Sequence, residues 1–132
     1  MKKTTLCFCR TDDKVLLGMK KEGFGEGKIN GPGGKVEEGE TPRKAAVREL
    51  GEEFVLAAVE QDLKQVALVR FCFEGVQKFE CFVYITRIWE NEPAETEEMR
   101  PQWFPIDALP FSEMWAADAM WIPLILNGEV IE

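Results

Sequence analysis

Three glutamates, Glu49, Glu52 and Glu53, stand close together in a segment with a helical pattern. At the i, i+3 and i, i+4 spacings of a helix, such side chains lie roughly 5–6 Å apart, where like charges repel. Arg48 lies one turn before Glu52 and offsets one of these charges, so an anionic surplus remains. A divalent cation would neutralise it, and a set of oxygen ligands favours Mg²⁺ or Mn²⁺ over zinc. The spacing therefore predicts metal-dependent chemistry.

The helix that would carry these glutamates has a recognisable start. Thr41 is a suitable N-cap, and Pro42 fits the first helical position, where its missing N–H costs no hydrogen bond. Val47, Leu50 and Phe54 fall on one side of the helix, and the glutamates cluster opposite. The pattern predicts a helix that packs its apolar side on a core and presents its carboxylates elsewhere.

A glycine-rich stretch over residues 20–34 leads into this helix and ends in Asn30-Gly-Pro-Gly-Gly34. Glycines here would allow the backbone to approach an anion or a metal closely, or would simply form tight turns. Their position directly before the glutamate helix favours the first alternative. We therefore expect a backbone carbonyl near Gly33 to join the metal ligands.

Composition narrows the class of protein. The chain has 132 residues, 45% hydrophobic and 30% charged, which predicts one globular domain over residues 1–132. A net charge of −8 argues against a nucleic-acid strand as partner. No apolar run reaches the ~20 residues of a membrane span, and no signal peptide is visible, so we expect a cytoplasmic protein, with a monomer favoured.

Histidine is absent, which removes Ser–His and Cys–His nucleophilic pairs and the usual zinc sites. Acid–base chemistry must then fall to carboxylates, lysine or metal-bound water. The cysteines all lie in strand-like runs, which predicts reduced core residues rather than ligands or disulfides; they are Cys7, Cys9, Cys72 and Cys81.

The remaining pattern is of strands followed by a second helix. Strands are expected over residues 4–9, 15–19, 64–74, 78–89 and 101–104. Gly75 separates two of these runs and predicts a hairpin. A last helix is expected from Trp115 to Leu126, where Pro123 predicts a kink or a helix start and Gly128 a stop. Mixed strands with a helix on either side predict an α/β sandwich.

Residues 34–56 resemble the Nudix box, which reads G-x5-E-x7-R-E-U-x-E-E-x-G-U with U an aliphatic residue. The matching residues are Gly34, Glu40, Arg48, Glu49, Leu50, Glu52, Glu53 and Leu56. Val55 stands where the family has glycine, and a β-branched residue resists the left-handed helix exit that glycine allows.

The resemblance implies an α/β/α sandwich with a mixed sheet. It also implies Mg²⁺-dependent hydrolysis of a nucleoside diphosphate linked to a further group. Glu49, Glu52 and Glu53, with the carbonyl near Gly33, would hold the metal, and Arg48 would fix the glutamates in place.

Further segments are similar to the branch of the Nudix family that contains the animal MutT homologues, which hydrolyse oxidised purine nucleoside triphosphates such as 8-oxo-dGTP and 2-hydroxy-dATP. These segments are residues 15–21, 23–25, 30–31, 98–101, 103–104 and 111–121. The resemblance implies a base pocket formed by Thr5, Lys20, Asn30, Phe71, Phe73, Trp115 and Asp118. It also implies that Glu98 is a base or a further metal ligand; the alternative is that Glu98 is one of several solvated acids in its loop.

The chemistry of this pocket suits a purine. Trp115 offers a flat face, and base–aromatic stacking is worth about 1–3 kcal/mol. Asn30 can donate and accept hydrogen bonds at a base edge, and Asp118 would share a helix face with Trp115. Two residues depart from that branch: Ala117 replaces the first of two adjacent acids, and Ile29 replaces a tryptophan. A single aspartate is expected to select a narrower or different set of purines.

Two alternatives remain open. The same fold and metal could serve a dinucleoside polyphosphate, a nucleotide sugar or ADP-ribose, although some branches with those substrates carry a proline or tyrosine past the box, and residues 70–73 contain neither. The chain could also be a non-catalytic nucleotide-binding module. The presence of all the metal glutamates disfavours that alternative.

Overall fold

The computed structural model describes residues 2–73 and 77–131. Its strands are β1 (Lys2–Cys9), β2 (Lys14–Lys20), β3 (Ile29–Asn30), β4 (Lys64–Phe73), β5 (Gln77–Thr86) and β6 (Met99–Pro105). Its helices are α1 (Pro42–Phe54) and α2 (Asp118–Leu126), with short 3-10 turns at Glu60–Asp62 and Phe111–Glu113.

The strands form two three-stranded sheets. One has the order β1-β5-β4, in which β1 and β5 are parallel and β5 and β4 are antiparallel. The other has the order β3-β2-β6 and is antiparallel throughout. The pairing of β4 with β5 confirms the two arms of the expected hairpin. Its turn at Gly75 lies outside the described residues.

The core lies on both faces of the strands. Because successive strand side chains point to opposite faces, Leu16 packs with Leu50 of α1, whereas Val15 and Leu17 pack with Ile122 of α2. Each helix therefore covers its own apolar cluster. This arrangement confirms the predicted α/β sandwich with mixed strands.

Helix α1 begins and ends through local hydrogen bonds. The hydroxyl of Thr41 accepts a 3.2 Å bond from the N–H of Lys44, which confirms the predicted N-cap. At the other end, Val55 takes the left-handed conformation at φ 64° and donates its N–H to the carbonyl of Gly51 at 3.0 Å. Val55 thus adopts the helix-ending conformation that glycine usually supplies. For a residue with a Cβ, this left-handed conformation costs roughly 1–2 kcal/mol of conformational strain.

The second helix is shorter than its pattern predicts. The expectation that it starts at Trp115 is wrong, because α2 begins at Asp118 and Trp115 lies in the preceding turn. Pro123 lies inside the helix rather than at its start. The predicted stop is confirmed, since the helix ends at Leu126 and Gly128 has φ 95°.

Three of the cysteines are buried, as expected, but Cys72 is exposed on β4. All four are free thiols. Within residues 2–73 and 77–131, no helix is both long and apolar enough to cross a membrane.

Candidate active site

Three carboxylates meet beside the C-terminal half of α1. Oxygen atoms of Glu49, Glu53 and Glu98 all lie within 4.8 Å of one another. Glu53 is only 3% exposed, and the side chain of Glu49 is 15% exposed, whereas Glu98 reaches in from an exposed loop. Since Glu98 comes 45 positions after Glu53 in the sequence, only the tertiary fold brings this group together.

Burial changes the acid–base behaviour of this cluster. Burial and the neighbouring Glu49 raise the pKa of Glu53 to about 9, against a lowering contribution from the N–H of Gly33. Burial also raises the pKa of Glu49, although Arg48 acts in the opposite direction. Without a cation Glu53 would hold a proton at neutral pH. Their crowded oxygen atoms fit the ligand preference of Mg²⁺ or Mn²⁺.

Arg48 organises the acidic side chains around it. Its guanidinium donates to both oxygens of Glu40 at 2.8 and 3.0 Å, and to Glu49 and Glu52 at 2.8 Å each. A further bond runs to the carbonyl of Lys35 at 3.0 Å. The hydrogen bond from Arg48 lowers the pKa of Glu40 to about 2. The bond from Arg48 to Glu49 fixes the position of that carboxylate within the cluster.

Glu52 is not brought into this cluster. Its side chain is half exposed and pairs with Arg48, and it lies outside the group formed by Glu49, Glu53 and Glu98. The spacing of Glu52 on the helix explains this outcome, because it lies about 100° around the axis from Glu53. Its assignment as a metal ligand therefore remains a prediction.

The glycine-rich loop packs directly against the carboxylates. The N–H of Gly33 donates a 2.9 Å bond to Oε2 of Glu53. A Cβ at Gly33 would stand 1.8 Å from the carbonyl oxygen of Thr5, and one at Gly34 would stand 2.7 Å from the carboxylate of Glu49. Close approach, rather than turn geometry, thus requires glycine here. The group of Gly33 that contacts the cluster in the structure is its N–H. The role predicted for its carbonyl, as a metal ligand, stays a prediction.

A second group of predicted residues lies at the start of α2. Oδ2 of Asp118 accepts a 3.1 Å bond from the N–H of Trp115, and the N–H of Asp118 donates to the carbonyl of Trp115 at 2.9 Å. Asp118 is 2% exposed, and burial raises its pKa to about 6 although Lys28 acts to lower it. A buried carboxyl with a pKa of about 6 can donate to a base edge when it is protonated and accept from one when it is ionised.

Two residues beside Trp115 were not predicted as site residues. The ring of Phe24 stacks on Trp115 with centroids 5.4 Å apart and 24° between planes, and Nζ of Lys28 lies 5.4 Å from the same ring. Phe24 is 72% exposed. The sequence offers one indication of a role for Phe24. It is a large aromatic residue between glycines, in a segment without the apolar periodicity that would place it in the core.

The other predicted pocket residues are placed as follows. Asn30 lies in β3, and its Oδ1 accepts from the N–H of Gly31 at 2.8 Å, so its amide N–H₂ group points the other way. Lys20 ends β2, and its N–H bonds to the carbonyl of Lys28 at 3.0 Å. Phe71 packs against the apolar cluster under α2. The side chain of Phe73 lies outside the described part of the chain.

Thr5 is not brought to the Trp115 group. Side chains alternate along β1, so Thr5 shares the face of Cys7, which packs under α1, whereas Leu6 and Phe8 face α2. The hydroxyl of Thr5 is buried and lacks a hydrogen-bond partner among the described residues. Its backbone N–H bonds to the carbonyl of Gly34 at 2.9 Å, which places it beside the carboxylate cluster.

A sandwich of two helices around mixed strands, with a buried acidic cluster on its first helix, has the Nudix fold. A MutT protein from Bacillus halodurans superimposes with a TM-score of 0.81 over 99% of this chain and 86% of its own, at 24% identity. The chain belongs to the Nudix family, since the family model for the NUDIX domain matches residues 2–125.

Relatives in animals are more similar in sequence. The oxidized purine nucleoside triphosphate hydrolase of Danio rerio is 48% identical over 124 residues, which cover 93% of this chain and 78% of that protein. The protein of the same name from Mus musculus is 44% identical with the same coverage. The predicted family and its animal branch are thus confirmed.

Proposed function

We propose that this chain is a metal-dependent hydrolase of oxidised purine nucleoside triphosphates, such as 8-oxo-dGTP or 2-hydroxy-dATP, giving a nucleoside monophosphate and pyrophosphate. The observation that carries the proposal is the meeting of Glu49, Glu53 and Glu98 within 4.8 Å, on a fold that also places Trp115 and Asp118 together. The names of the zebrafish and mouse relatives support the substrate class.

Glu49, Glu53 and Glu98 would hold Mg²⁺, or Mn²⁺ in its place. When such an ion is bound, the chemistry it supplies is neutralisation of phosphate oxygens and a lower pKa for a coordinated water. Arg48 contributes by holding Glu49 in place, and Gly33 by holding Glu53. Glu98, the exposed member of the group, is proposed as a further ligand or as the acceptor of the proton of the attacking water.

Recognition of the base would use the residues around Trp115. The stack of Phe24 on Trp115 supplies apolar aromatic surface for a purine, and the buried carboxyl of Asp118 supplies a hydrogen-bonding group. The positively charged side chains of Lys20 and Lys28 lie at the two ends of the glycine-containing loop over residues 20–28, where they would favour the binding of an anionic nucleotide. Asn30 would contact the base edge through its amide.

Comparative kinetics test the proposal. Hydrolysis with Mg²⁺ would be measured by chromatographic separation of the nucleotide products, which also detects cleavage that releases no pyrophosphate. The substrates would be dGTP, 8-oxo-dGTP, dATP and 2-hydroxy-dATP, with ADP-ribose, a nucleotide sugar and a dinucleoside polyphosphate alongside. We expect the highest kcat/KM on an oxidised purine. A higher kcat/KM on a sugar nucleotide, ADP-ribose or a dinucleoside polyphosphate would reject that substrate class. No hydrolysis of any compound would favour the non-catalytic module instead.

Ala117→Asp tests the specificity argument. Adding an acid next to Asp118 is expected to widen the set of oxidised purines hydrolysed, because two adjacent carboxyls can share protons in more than one arrangement. An unchanged ratio of kcat/KM between 8-oxo-dGTP and 2-hydroxy-dATP would contradict it.

The proposed setting is the cytoplasm, with the enzyme a monomer and no nucleic-acid strand as partner. The four free cysteines support a reducing compartment, and the net charge of −8 supports the absence of a nucleic-acid strand as partner. Light scattering after size exclusion measures the oligomeric state.

A further inference from the structure

The loop that carries Glu98 is docked on the C-terminal end of α1. The last carbonyl groups of a helix have no partner within the helix and must find one elsewhere. Here three successive carbonyls accept bonds from the loop: Glu53 from the hydroxyl of Thr96 at 2.9 Å, Phe54 from the N–H of Ala94 at 3.0 Å, and Val55 from the side-chain amide of Asn91 at 3.2 Å. The end of the helix thereby sets the position of the loop.

Thr96 has a special place among these contacts. Besides donating to the carbonyl of Glu53, its hydroxyl oxygen accepts bonds from the N–H groups of Glu98 and Met99, both at 3.3 Å. A hydroxyl has one donor and two acceptor lone pairs, so all of its bonding capacity is used. One side chain therefore ties the peptide of Glu53 to the peptide of Glu98, and the side chains of both belong to the carboxylate cluster.

The other side of the loop is held by Lys21. Its N–H donates to the carbonyl of Glu98 at 2.9 Å, and its Nζ donates to the carbonyl of Thr96 at 2.9 Å. Met99, which follows Glu98, is buried against the cluster of apolar residues under α1. Because the side chain of Glu98 is exposed, its reach toward Glu49 and Glu53 depends on where this backbone is held.

We propose that Thr96 is a positioning residue that fixes Glu98 against Glu49 and Glu53. The consequence for turnover rests on the proposed function, whereas the consequence for cation binding does not. Thr96→Val keeps the shape of the side chain and removes all three hydrogen bonds. Thr96→Ser keeps the hydroxyl. Loss of these bonds is expected to weaken cation binding about tenfold, because the backbone that presents Glu98 would no longer be held and water would replace only part of the lost hydrogen bonding.

The experiment measures Mn²⁺ binding to the full chain by electron paramagnetic resonance, and hydrolysis of 8-oxo-dGTP separately. Asn91→Gly is the matched control, because it removes a bond to the same helix end, keeps the positive φ of 76° at that position, and leaves residues 96–99 untouched. Glu98→Gln and the double variant with Thr96→Val complete a double-mutant cycle.

We expect Thr96→Val to weaken Mn²⁺ binding about tenfold, Thr96→Ser to restore it to within about twofold, and Asn91→Gly to leave it unchanged. In the Glu98→Gln background, Thr96→Val should add no further loss. Full Mn²⁺ affinity in Thr96→Val, an equal loss in Asn91→Gly, or an undiminished loss in the Glu98→Gln background would each overturn the proposal. Intact Mn²⁺ binding with no hydrolysis of any purine nucleotide would reject the proposed function alone.

Discussion

The backbone N–H of Gly33 donates a 2.9 Å hydrogen bond to Oε2 of Glu53. This bond joins the loop before α1 to the last turn of α1 at the most buried carboxylate of the cluster. A glutamine at position 53 could accept the same bond through its amide oxygen. It would lack the negative charge that a bound cation requires, so function and folding can be separated at this position.

Glu53→Gln should abolish metal-dependent hydrolysis and leave the fold intact. The amide keeps the volume and the bond to Gly33 but is a poor ligand for a hard cation. Circular dichroism and pyrophosphate release would check the two parts. A variant that retains more than a few per cent of the wild-type rate would remove Glu53 from the site.

The same substitution predicts a pH-dependent change in stability of the metal-free protein. The pKa of Glu53 is about 9 in the fold against 4.5 ordinarily, so ionisation costs the wild type stability as pH rises from 4.5 through 9. Glu53→Gln should therefore be as stable as the wild type at pH 4 and more stable at pH 8. Thermal melts in EDTA measure this. Adding Mn²⁺ should then stabilise the wild type and not the variant.

Gly34→Ala should reduce activity more than stability. The new Cβ would meet the carboxylate of Glu49 at 2.7 Å, and that carboxylate is the end of a side chain that can move aside. We expect at least a tenfold lower kcat, which is about 1.4 kcal/mol in activation free energy. Gly51→Ala is the control: its Cβ meets nothing closer than 3.7 Å, so it should raise helix stability and leave kcat unchanged. Equal activity of the two variants would contradict the prediction.

Val55→Gly should stabilise the protein by about 1 kcal/mol, because glycine adopts φ 64° without the strain of a β-branched residue. Chemical denaturation would measure the free energy of unfolding. Val59→Gly provides the comparison: Val59 is also about half exposed but has an ordinary φ of −108°, so glycine there should be neutral or destabilising. A loss of stability in Val55→Gly would show that the left-handed exit is not strained.

Asp118→Asn should be stabilising at neutral pH and neutral in acid. The pKa of Asp118 is about 6 in the fold against 3.8 ordinarily, so the wild type loses stability as pH rises from 3.8 through 6. Well above pH 6 the free energy of unfolding of the variant should exceed that of the wild type by about 3 kcal/mol, and at pH 3.5 the two should be nearly equal. Asparagine can still accept the N–H of Trp115. Urea denaturation at both pH values tests this, with Asp107→Asn, at an exposed aspartate, as the comparison.

Local sequence was sufficient to predict α1, the helix that bears Glu49 and Glu53. The cap at Thr41, the proline after it and the spacing of Glu49 and Glu53 all act within a turn or two of chain, where hydrogen bonding and periodicity leave few alternatives. The limits of this local pattern show at two places. Trp115 and Asp118 have helical spacing but are joined by a turn, so the predicted start of the second helix is wrong. Glu52 pairs with Arg48 in the structure, and its role as a metal ligand stays a prediction.

The composition of the carboxylate cluster was decided by contacts between distant parts of the chain. Glu98 joins Glu53 because the unpaired carbonyls at the end of α1 bind the loop around Thr96, and no spacing in the sequence reports that bond. Likewise, alternation along β1 turns Thr5 away from Trp115. Phe24 reaches Trp115 only because the fold brings the glycine loop there. Residue type and short-range spacing encode which chemistry is available, whereas packing between distant segments selects the side chains that perform it.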